Sequence, residues 1–347
     1  MDIIARRLSV MGYRLVRRCI NNMPESTTAR QFWIQTPGQG QIVTTTLPAK
    51  QDDQVLVRTL YSCISRGTET LVFRGEVPPS QHEAMRAPFQ EGEFPGPVKY
   101  GYANVGEVVA GPDSLVGVTV FCLYPHQDHY CVRATDVTPL PDGLPPSRAV
   151  LAANMETAVN AVWDSRPTVG DEIVVIGAGV VGLLSAWLCQ QLPGTRVTVV
   201  DINPAKEAVA EALGLTFVAG LPSHTQADLV LHASGQPEGL VSALMVAGLE
   251  ANVVDLSWYG NRPVKLPLGE NFHSRRLTLR SSQVGHLHPE RIPRWTRSRR
   301  MSLALHLLLD PKVDALITGE SPFEKLPDVL AKLSRDPRNT LCHRIAY

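Results

Sequence analysis

Cysteine is scarce in this sequence, and the cysteines are far apart. There are six in 347 residues, and no two of them form a C-x-x-C pair. Such scatter indicates reduced thiols in a cytosolic protein rather than a disulfide framework. We therefore expect a cytoplasmic protein.

Long apolar runs and an excess of charge of one sign are also missing. No apolar run reaches the roughly 18 residues that a membrane-spanning helix needs. The 33 basic and 33 acidic residues cancel, so a nucleic-acid or membrane-surface role has no global electrostatic support. With 44% apolar and 19% charged residues, the composition is that of a globular protein long enough for two cores. We expect a small-molecule partner, no nucleic acid and no membrane.

Residues 1–28 differ from the rest of the chain because they contain several basic residues and few acidic ones. The segment is compatible with an amphipathic targeting helix. We favour a poorly ordered extension ahead of the first strand, since the apolar core and cleavage site of a secretory signal are missing. The basic residues are Arg6, Arg7, Arg14, Arg17 and Arg18.

The stretch from Glu172 to Asp201 is the feature around which the chain is organised. An apolar run at residues 173–176 predicts a buried strand, and it is followed by Gly177-Ala178-Gly179-Val180-Val181-Gly182. A segment with apolar residues at helical spacing comes next, and a second strand ends on Asp201. This order predicts a dinucleotide-binding unit rather than a glycine-rich turn in a nucleotide-free domain.

Each glycine of the motif has a separate role in such a unit. Gly177 permits the tight turn, Gly179 lets the backbone approach a diphosphate, and Gly182 lets the helix lie close to the strand. The N–H groups at the helix start, at Val180 and Val181, then face the phosphates.

The sequence before this unit is β-rich, and the sequence after it alternates between strands and helices. Prolines exclude a long helix from residues 78–98. The alternation implies a parallel sheet with right-handed crossovers, and ligands bind at the carboxyl ends of its strands. Ser234, Ser257 and Ser281 stand at such ends and are candidate cofactor-binding residues. The predicted fold class is α/β, a doubly wound Rossmann sheet plus a β-rich domain.

The whole pattern resembles the medium-chain dehydrogenase/reductase superfamily. Pro167-Thr168-Val169-Gly170-Asp171 before the glycine motif is similar to the entry of that family's cofactor domain. Residues 132–141 (VRATDVTPLP) resemble its domain junction. Within the family, residues 61–75 (YSCISRGTETLVFRG) with Gly101-Tyr102 are most similar to bacteriochlorophyllide-type hydroxyethyl dehydrogenases and their relatives.

The resemblance implies a division of the chain and an activity. We expect an extension at 1–28, a β-rich GroES-like catalytic domain at 29–152, a Rossmann domain at 153–285 and a return to the catalytic domain at 286–347. The implied protein is a homodimeric NAD(H)-dependent oxidoreductase that interconverts a secondary alcohol and a ketone or aldehyde. The long loop from Gly75 to Tyr102, with its prolines and aromatic residues, suggests a bulky apolar substrate.

The chain departs from the family where zinc-using members hold their metal. Arg66 stands in the position of the cysteine ligand, Tyr102 in that of the histidine, and Ala153 near that of the third ligand. A guanidinium cannot replace a thiolate, and the loss of three ligands abolishes a tetrahedral site. We therefore expect no zinc. His126 and His129, three residues apart, offer a rival metal site, although a polar loop is the more frequent role of such a pair.

Hydride transfer without zinc still requires control of a proton, and the resemblance points to candidates for it. Tyr102 would stand where the metal-bound oxygen lies, so it is the candidate proton donor, and Arg66 could lower its pKa. Arg66 and Glu69 could instead form a structural ion pair. Thr68 occupies the family's hydroxyl position, and Thr157 matches a threonine near nicotinamide.

Three functions therefore stay open at this point. The first is an alcohol dehydrogenase or ketone reductase. The second is a zinc-free quinone or enone reductase, whose conjugated substrate delocalises charge without a metal. The third is a nucleotide-binding protein without catalysis.

The cofactor choice depends on Asp201. Its carboxylate should accept hydrogen bonds from the ribose hydroxyls of NAD(H) and repel the 2′-phosphate of NADP(H). Lys206 is a complication, but its place one turn into a helix predicts that it points to solvent. We expect NAD(H) to be preferred by at least about tenfold.

Overall fold

The structure is a computed structural model, which describes residues 27–221, 226–336 and 339–347. The proposed extension therefore lies almost wholly outside the described residues. The strands of the β-rich part are β1 (Thr28–Thr36), β2 (Gln39–Thr46), β3 (Gln54–Ile64), β4 (Glu91–Gly92), β5 (Val98–Lys99), β6 (Asn104–Ala110), β7 (Thr119–Cys122), β8 (His129–Arg133) and β9 (Thr138–Pro139). The later strands are β10 (Glu172–Ile176), β11 (Arg196–Asp201), β12 (Thr216–Ala219), β13 (Ala227–His232), β14 (Ala247–Asp255), β15 (Thr278–Ser281), β16 (Ile317–Pro322) and β17 (Cys342–Ala346).

Helices connect and cover these strands. They are α1 (Thr68–Phe73), α2 (Pro146–Ala149), α3 (Ala152–Ser165), α4 (Val180–Gln190), α5 (Glu207–Ala212), α6 (Pro237–Val246), α7 (Arg297–Leu307) and α8 (Leu326–Arg335). Proline opens α6, where its fixed φ suits the first helical position. Helix α3 ends at Arg166, whose left-handed backbone (φ +54°) stops the helix. In the described residues no helix is both long and apolar enough to cross a membrane.

Six strands form the sheet around the glycine-rich loop, in the order β12-β11-β10-β13-β14-β15. Every pair in it is parallel. The central strands are apolar on both faces because helices cover both sides, and Val175 and Leu231 are fully buried. The strand order reverses between β10 and β13, so a crevice opens there at the carboxyl edge. Strand β12 was not predicted, since its residues are exposed or half-exposed and its apolar run is only three residues long.

The β-rich part forms two further sheets. One has the order β2-β1-β5-β4, and the other is a mixed sheet with the order β16-β17-β3-β6-β7-β9, with β8 also paired to β3. Strand β17 pairs antiparallel with β3, so the end of the described chain returns to the β-rich sheet. The predicted α/β fold class, a Rossmann sheet plus a β-rich domain, is confirmed, while the domain boundaries stay a proposal.

Candidate functional site

The glycine-rich loop lies at the crevice between β10 and β13, and two of its glycines are required by close contacts. Gly177 has a φ of +106°, and a Cβ atom there would lie 2.6 Å from the backbone of Ser234. A Cβ atom on Gly182 would lie 2.0 Å from the carbonyl oxygen of Gly177. Side chains are therefore excluded at both positions, and α4 can begin directly against the sheet.

Gly179 differs because the space in front of it is open on the protein side. A Cβ atom there would meet one group within 4 Å, Nη2 of Arg66 at 3.7 Å. Val180 and Val181 form the start of α4, where backbone N–H groups have no partner within the helix. Such N–H groups and a nearby guanidinium create an electrostatic environment that favours binding of an anion. The loop thus fits a dinucleotide diphosphate, as the sequence predicted.

Asp201 ends β11 beside this loop, and its carboxylate already has three partners. Oδ2 accepts from the Ala178 N–H at 2.8 Å and from Lys206 Nζ at 2.7 Å. Oδ1 accepts from the Asn203 N–H at 2.9 Å. The predicted direction of Lys206 is wrong: its side chain is only 13% exposed because it folds back onto Asp201 instead of pointing to solvent. Burial lowers the pKa of Lys206, and Asp201 opposes that change.

Arg66 reaches from the β-rich part of the chain toward the same loop. Its Nη1 donates to the carbonyl oxygen of Thr340 at 2.6 Å. Burial lowers the pKa of Arg66, and attraction to Asp201 opposes this. The side chain therefore contributes a cation to the glycine-rich loop. This position brings the two parts of the molecule together around the predicted cofactor site.

Tyr102 lies where the apolar cores of the two parts meet, and it packs against both. Its hydroxyl donates to Oγ of Ser65 at 2.6 Å. Burial raises the pKa of Tyr102 well above its usual range and the Glu69 carboxylate adds to the rise, while hydrogen bonds with Ser65 and Thr68 oppose it. The prediction that Arg66 lowers the pKa of Tyr102 is therefore wrong, because Arg66 is directed to Gly179. The sequence analysis placed Thr68 and Tyr102 in one site, but it did not identify Ser65.

Glu69 is paired with histidine rather than with Arg66, so the predicted ion pair with Arg66 is wrong. Its Oε2 lies 2.8 Å from Nε2 of His126, and its Oε1 accepts from the Ser65 N–H at 2.8 Å. Both Glu69 and His126 are almost fully buried. The sequence could not show this partnership because 57 residues separate the two positions.

The predicted cofactor serines lie at the carboxyl edge of the sheet, and two of them belong to one polar cluster. Fully buried His232 bonds Asp255 through Nδ1 (2.9 Å) and Ser234 Oγ through Nε2 (2.6 Å). Ser257 Oγ accepts from the Gly235 N–H at 3.1 Å. The hydroxyl of Ser234 is thus engaged by the protein, and its backbone is what faces Gly177. Ser281 ends the outer strand β15 and is exposed.

Thr157, the candidate on α3, and its neighbour Glu156 both have partners within the protein. Thr157 donates its hydroxyl to the carbonyl oxygen of Ala153 at 2.9 Å, and the residue stays partly exposed. Glu156 is 6% exposed and pairs with Arg300 at 3.0 Å. Burial raises the pKa of Glu156, and Arg300 opposes the rise. Glu156 is therefore a buried ion-pair partner of α7.

The donor set at the position of the family's zinc does not fit that metal. Arg66, Tyr102 and Ala153 offer no thiolate or imidazole. His126 uses one ring nitrogen for Glu69 and the other for Ser62, and His129 faces Asp128. Across the described ranges no three His, Cys, Asp or Glu side chains lie together as a metal site would require. We therefore derive no step through a metal.

Comparisons with known proteins agree with this fold. The family model described as alanine dehydrogenase/PNT, C-terminal domain, matches residues 156–255. L-threonine 3-dehydrogenase of Rhizobium rhizogenes is 30% identical over 118 residues, which are 34% of this chain and 34% of that protein. An uncharacterized zinc-type alcohol dehydrogenase-like protein of Haemophilus influenzae is 26% identical over 220 residues, 59% of this chain and 60% of that one. The chain thus matches about one third of the threonine dehydrogenase.

A solved structure extends the likeness over nearly the whole chain. It is a short chain alcohol dehydrogenase from Escherichia coli CFT073, complexed with NADH, with a TM-score of 0.74 and 15% identity over 92% of this chain and 100% of that one. At that identity the match shows the fold.

The resemblance to the zinc-type alcohol dehydrogenase-like proteins of the medium-chain dehydrogenase/reductase superfamily is thereby confirmed. The closer likeness to bacteriochlorophyllide-type dehydrogenases, the homodimer and the cytoplasmic location stay predictions.

Proposed function

We propose that the protein is an NAD(H)-dependent oxidoreductase that interconverts a secondary alcohol and a ketone or aldehyde without catalytic zinc. The observation that carries this proposal is the position of Arg66. It extends from the β-rich part to the glycine-rich loop, close to Asp201, so both parts of the chain contribute to one dinucleotide site. The NADH in the structural neighbour supports the same cofactor class.

The residues of this chain divide the work between cofactor and substrate. The start of α4 and Arg66 would hold the diphosphate, and Asp201 the adenosine ribose. The bound cofactor supplies the hydride. Tyr102 and Ser65 form a hydroxyl pair at the junction of the two cores, and Thr68 adds a third hydroxyl. These hydroxyls would offer hydrogen bonds to the substrate oxygen as its charge develops.

A quinone or enone reductase is the second candidate, and the electrostatics of Tyr102 favour it. Burial and Glu69 raise the pKa of its hydroxyl, so that group stays protonated and can donate a hydrogen bond, but it gives up its proton with difficulty. A conjugated acceptor spreads the incoming charge and needs less proton transfer in the same step.

The substrate we propose is bulky and apolar. The loop that leads to Tyr102 carries aromatic rings in contact with one another. His82 packs on Phe94 (5.5 Å), Phe94 on Tyr100 (5.7 Å), and Tyr100 on Tyr102 (6.0 Å). Aromatic side chains therefore connect the loop to the hydroxyl pair.

Turnover with NADH separates these functions. The purified protein is assayed for NADH oxidation with panels of bulky ketones, aldehydes, quinones and enones. Reduction of ketones or aldehydes supports the first proposal, and reduction confined to quinones and enones supports the second. Tight NADH binding with no turnover in any panel would instead indicate a nucleotide-binding protein without catalysis.

The purified protein should contain no stoichiometric zinc. Arg66, Tyr102 and Ala153 replace the ligand types, and His126 is committed to Glu69 and Ser62. Elemental analysis after dialysis is the measurement. About one zinc per chain would contradict this prediction and place a metal where we propose hydroxyls.

NAD(H) should bind more tightly than NADP(H), by about tenfold or 1.4 kcal/mol. Oδ1 of Asp201 accepts one hydrogen bond and has capacity left for a ribose hydroxyl, whereas a 2′-phosphate would meet the negative charge of the carboxylate. Lys206 offsets part of that repulsion, because its ammonium lies on the carboxylate. Lys206→Ala should therefore widen the preference, and Asp201→Ser should narrow it. Fluorescence titration with NADH and NADPH tests this, and tighter binding of NADPH to the wild type would show that Lys206 dominates the site.

A further inference from the structure

Behind the hydroxyl pair lies a row of hydrogen-bonded polar side chains that have no role in the proposed reaction so far described. Glu69 Oε2 lies 2.8 Å from His126 Nε2, and His126 Nδ1 lies 2.7 Å from Ser62 Oγ. Ser62 Oγ lies 3.0 Å from the hydroxyl of Tyr347. Ser62, Glu69 and His126 are at most 2% exposed. We call these four residues the Glu69 network.

The hydrogen bonds of this network define a direction. An ionised carboxylate only accepts hydrogen bonds, and Glu69 accepts on Oε1 from the Ser65 N–H. Nε2 of His126 must then donate to Oε2. In a neutral ring Nδ1 accepts from Ser62, and Ser62 in turn accepts from Tyr347. Each donor is thereby aimed at the next acceptor, and the row ends on the Glu69 carboxylate.

The groups around Glu69 show why its carboxylate needs these hydrogen bonds. Its electrostatic neighbours, besides His126, include the phenols of Tyr100, Tyr102 and Tyr347 and the thiol of Cys63. All of these carry no charge in their protonated form, so the carboxylate depends on the hydrogen bonds that it accepts from His126 and from the Ser65 N–H. A buried carboxylate is costly unless its hydrogen bonds are complete, which gives the network a physical reason to exist.

We propose that His126 and Tyr347 are positioning residues that hold Glu69 as a fixed negative charge beside Tyr102. The charge disfavours the phenolate form of Tyr102 and so favours its hydroxyl as the donor to Ser65, which leaves the hydrogen of Ser65 to face the substrate oxygen. Ser65, which accepts from Tyr102 and keeps its own hydrogen, then becomes a catalytic residue in contact with substrate. This inference rests on the proposed function for its catalytic part only.

Two tyrosine variants provide a matched test of the network. Tyr347→Phe removes one hydroxyl and keeps the ring stacked on Phe323, 4.5 Å away. We expect the kcat of carbonyl reduction to fall about tenfold, the effect of one lost buried hydrogen bond, with the Kd of NADH unchanged. The control is Tyr130→Phe, since Tyr130 is a buried tyrosine whose hydroxyl donates to Asn104, which is not one of the four residues of the network. Its kcat should stay within about twofold of wild type. Equal losses in both variants, or no loss in Tyr347→Phe, would overturn the proposal.

The direction of the network can be measured without turnover. Proteins with ¹⁵N-labelled histidine are compared by NMR, and the His126 ring signals are assigned by their loss in His126→Gln. We expect a proton on Nε2 and a shift of the Nδ1 signal in Tyr347→Phe but not in Tyr130→Phe. A ring protonated on Nδ1 alone would overturn the proposal. A wild type with the expected ring signals but no turnover would refute the proposed function, and with it the catalytic role of Ser65, while the network's direction would stand.

Discussion

Tyr102→Phe should lower the rate of carbonyl reduction by roughly 10²–10³, because the hydroxyl that holds Ser65 as a preorganised donor to the developing charge is removed. The phenylalanine ring keeps the contacts with both apolar cores, so the fold and the Kd of NADH should be unchanged. The hydroxyl that orients Ser65 is lost. Steady-state kinetics together with fluorescence titration measure both quantities.

The pH dependence gives an independent check on Tyr102. Its pKa is raised in the folded protein, so the neutral hydroxyl persists to higher pH than in a free tyrosine, whose pKa is about 10. The wild-type rate should therefore show no loss from ionisation of Tyr102 up to about pH 10. An unchanged rate in Tyr102→Phe, or a wild-type loss near neutral pH that Tyr102→Phe abolishes, would contradict this role.

Arg66→Ala should weaken NADH binding by roughly 10- to 100-fold, because a charge-assisted hydrogen bond to phosphate contributes on the order of 1.5–3 kcal/mol. The side chain lies over Gly179, where the diphosphate is expected. Arg66→Lys should give an intermediate Kd, since lysine keeps the charge but not the planar fork. Titration of NADH by fluorescence or calorimetry measures the change.

A second arginine near α1 serves as the control for this effect. Arg74 follows the helix, pairs with Glu76 and bonds the carbonyl oxygen of Ser334. Arg74→Ala should leave the Kd of NADH unchanged. A wild-type Kd in Arg66→Ala would show that Arg66 is a structural residue that ties the two parts together through Thr340.

The cofactor-binding half of the site could be predicted from the sequence because the residues that define it lie close together along the chain. The glycine spacing, the apolar strand and the acid at the end of the next strand all fall within residues 172–201, and each is set by backbone geometry. The structure explains Gly177 and Gly182 by contacts of 2.0–2.6 Å that a side chain would make there. Alternating strands and helices likewise predicted the parallel sheet.

The other half was not readable, because it depends on contacts between distant positions. Arg66 was placed beside Tyr102 by alignment with a metal ligand, yet its length lets it cross to Gly179. Lys206 was expected in solvent, yet the nearby carboxylate of Asp201 attracts it. The pairing of Glu69 with His126 joins α1 to a loop before β8, and no spacing rule predicts such a contact.

A crystal structure of the protein with NADH would test the central claim most directly. The account predicts the diphosphate over Gly179 within hydrogen-bond distance of Arg66, and the ribose at Asp201. It predicts the nicotinamide directed toward Tyr102 and Ser65. A cofactor bound with its nicotinamide away from Tyr102, or bound outside the crevice between β10 and β13, would contradict it.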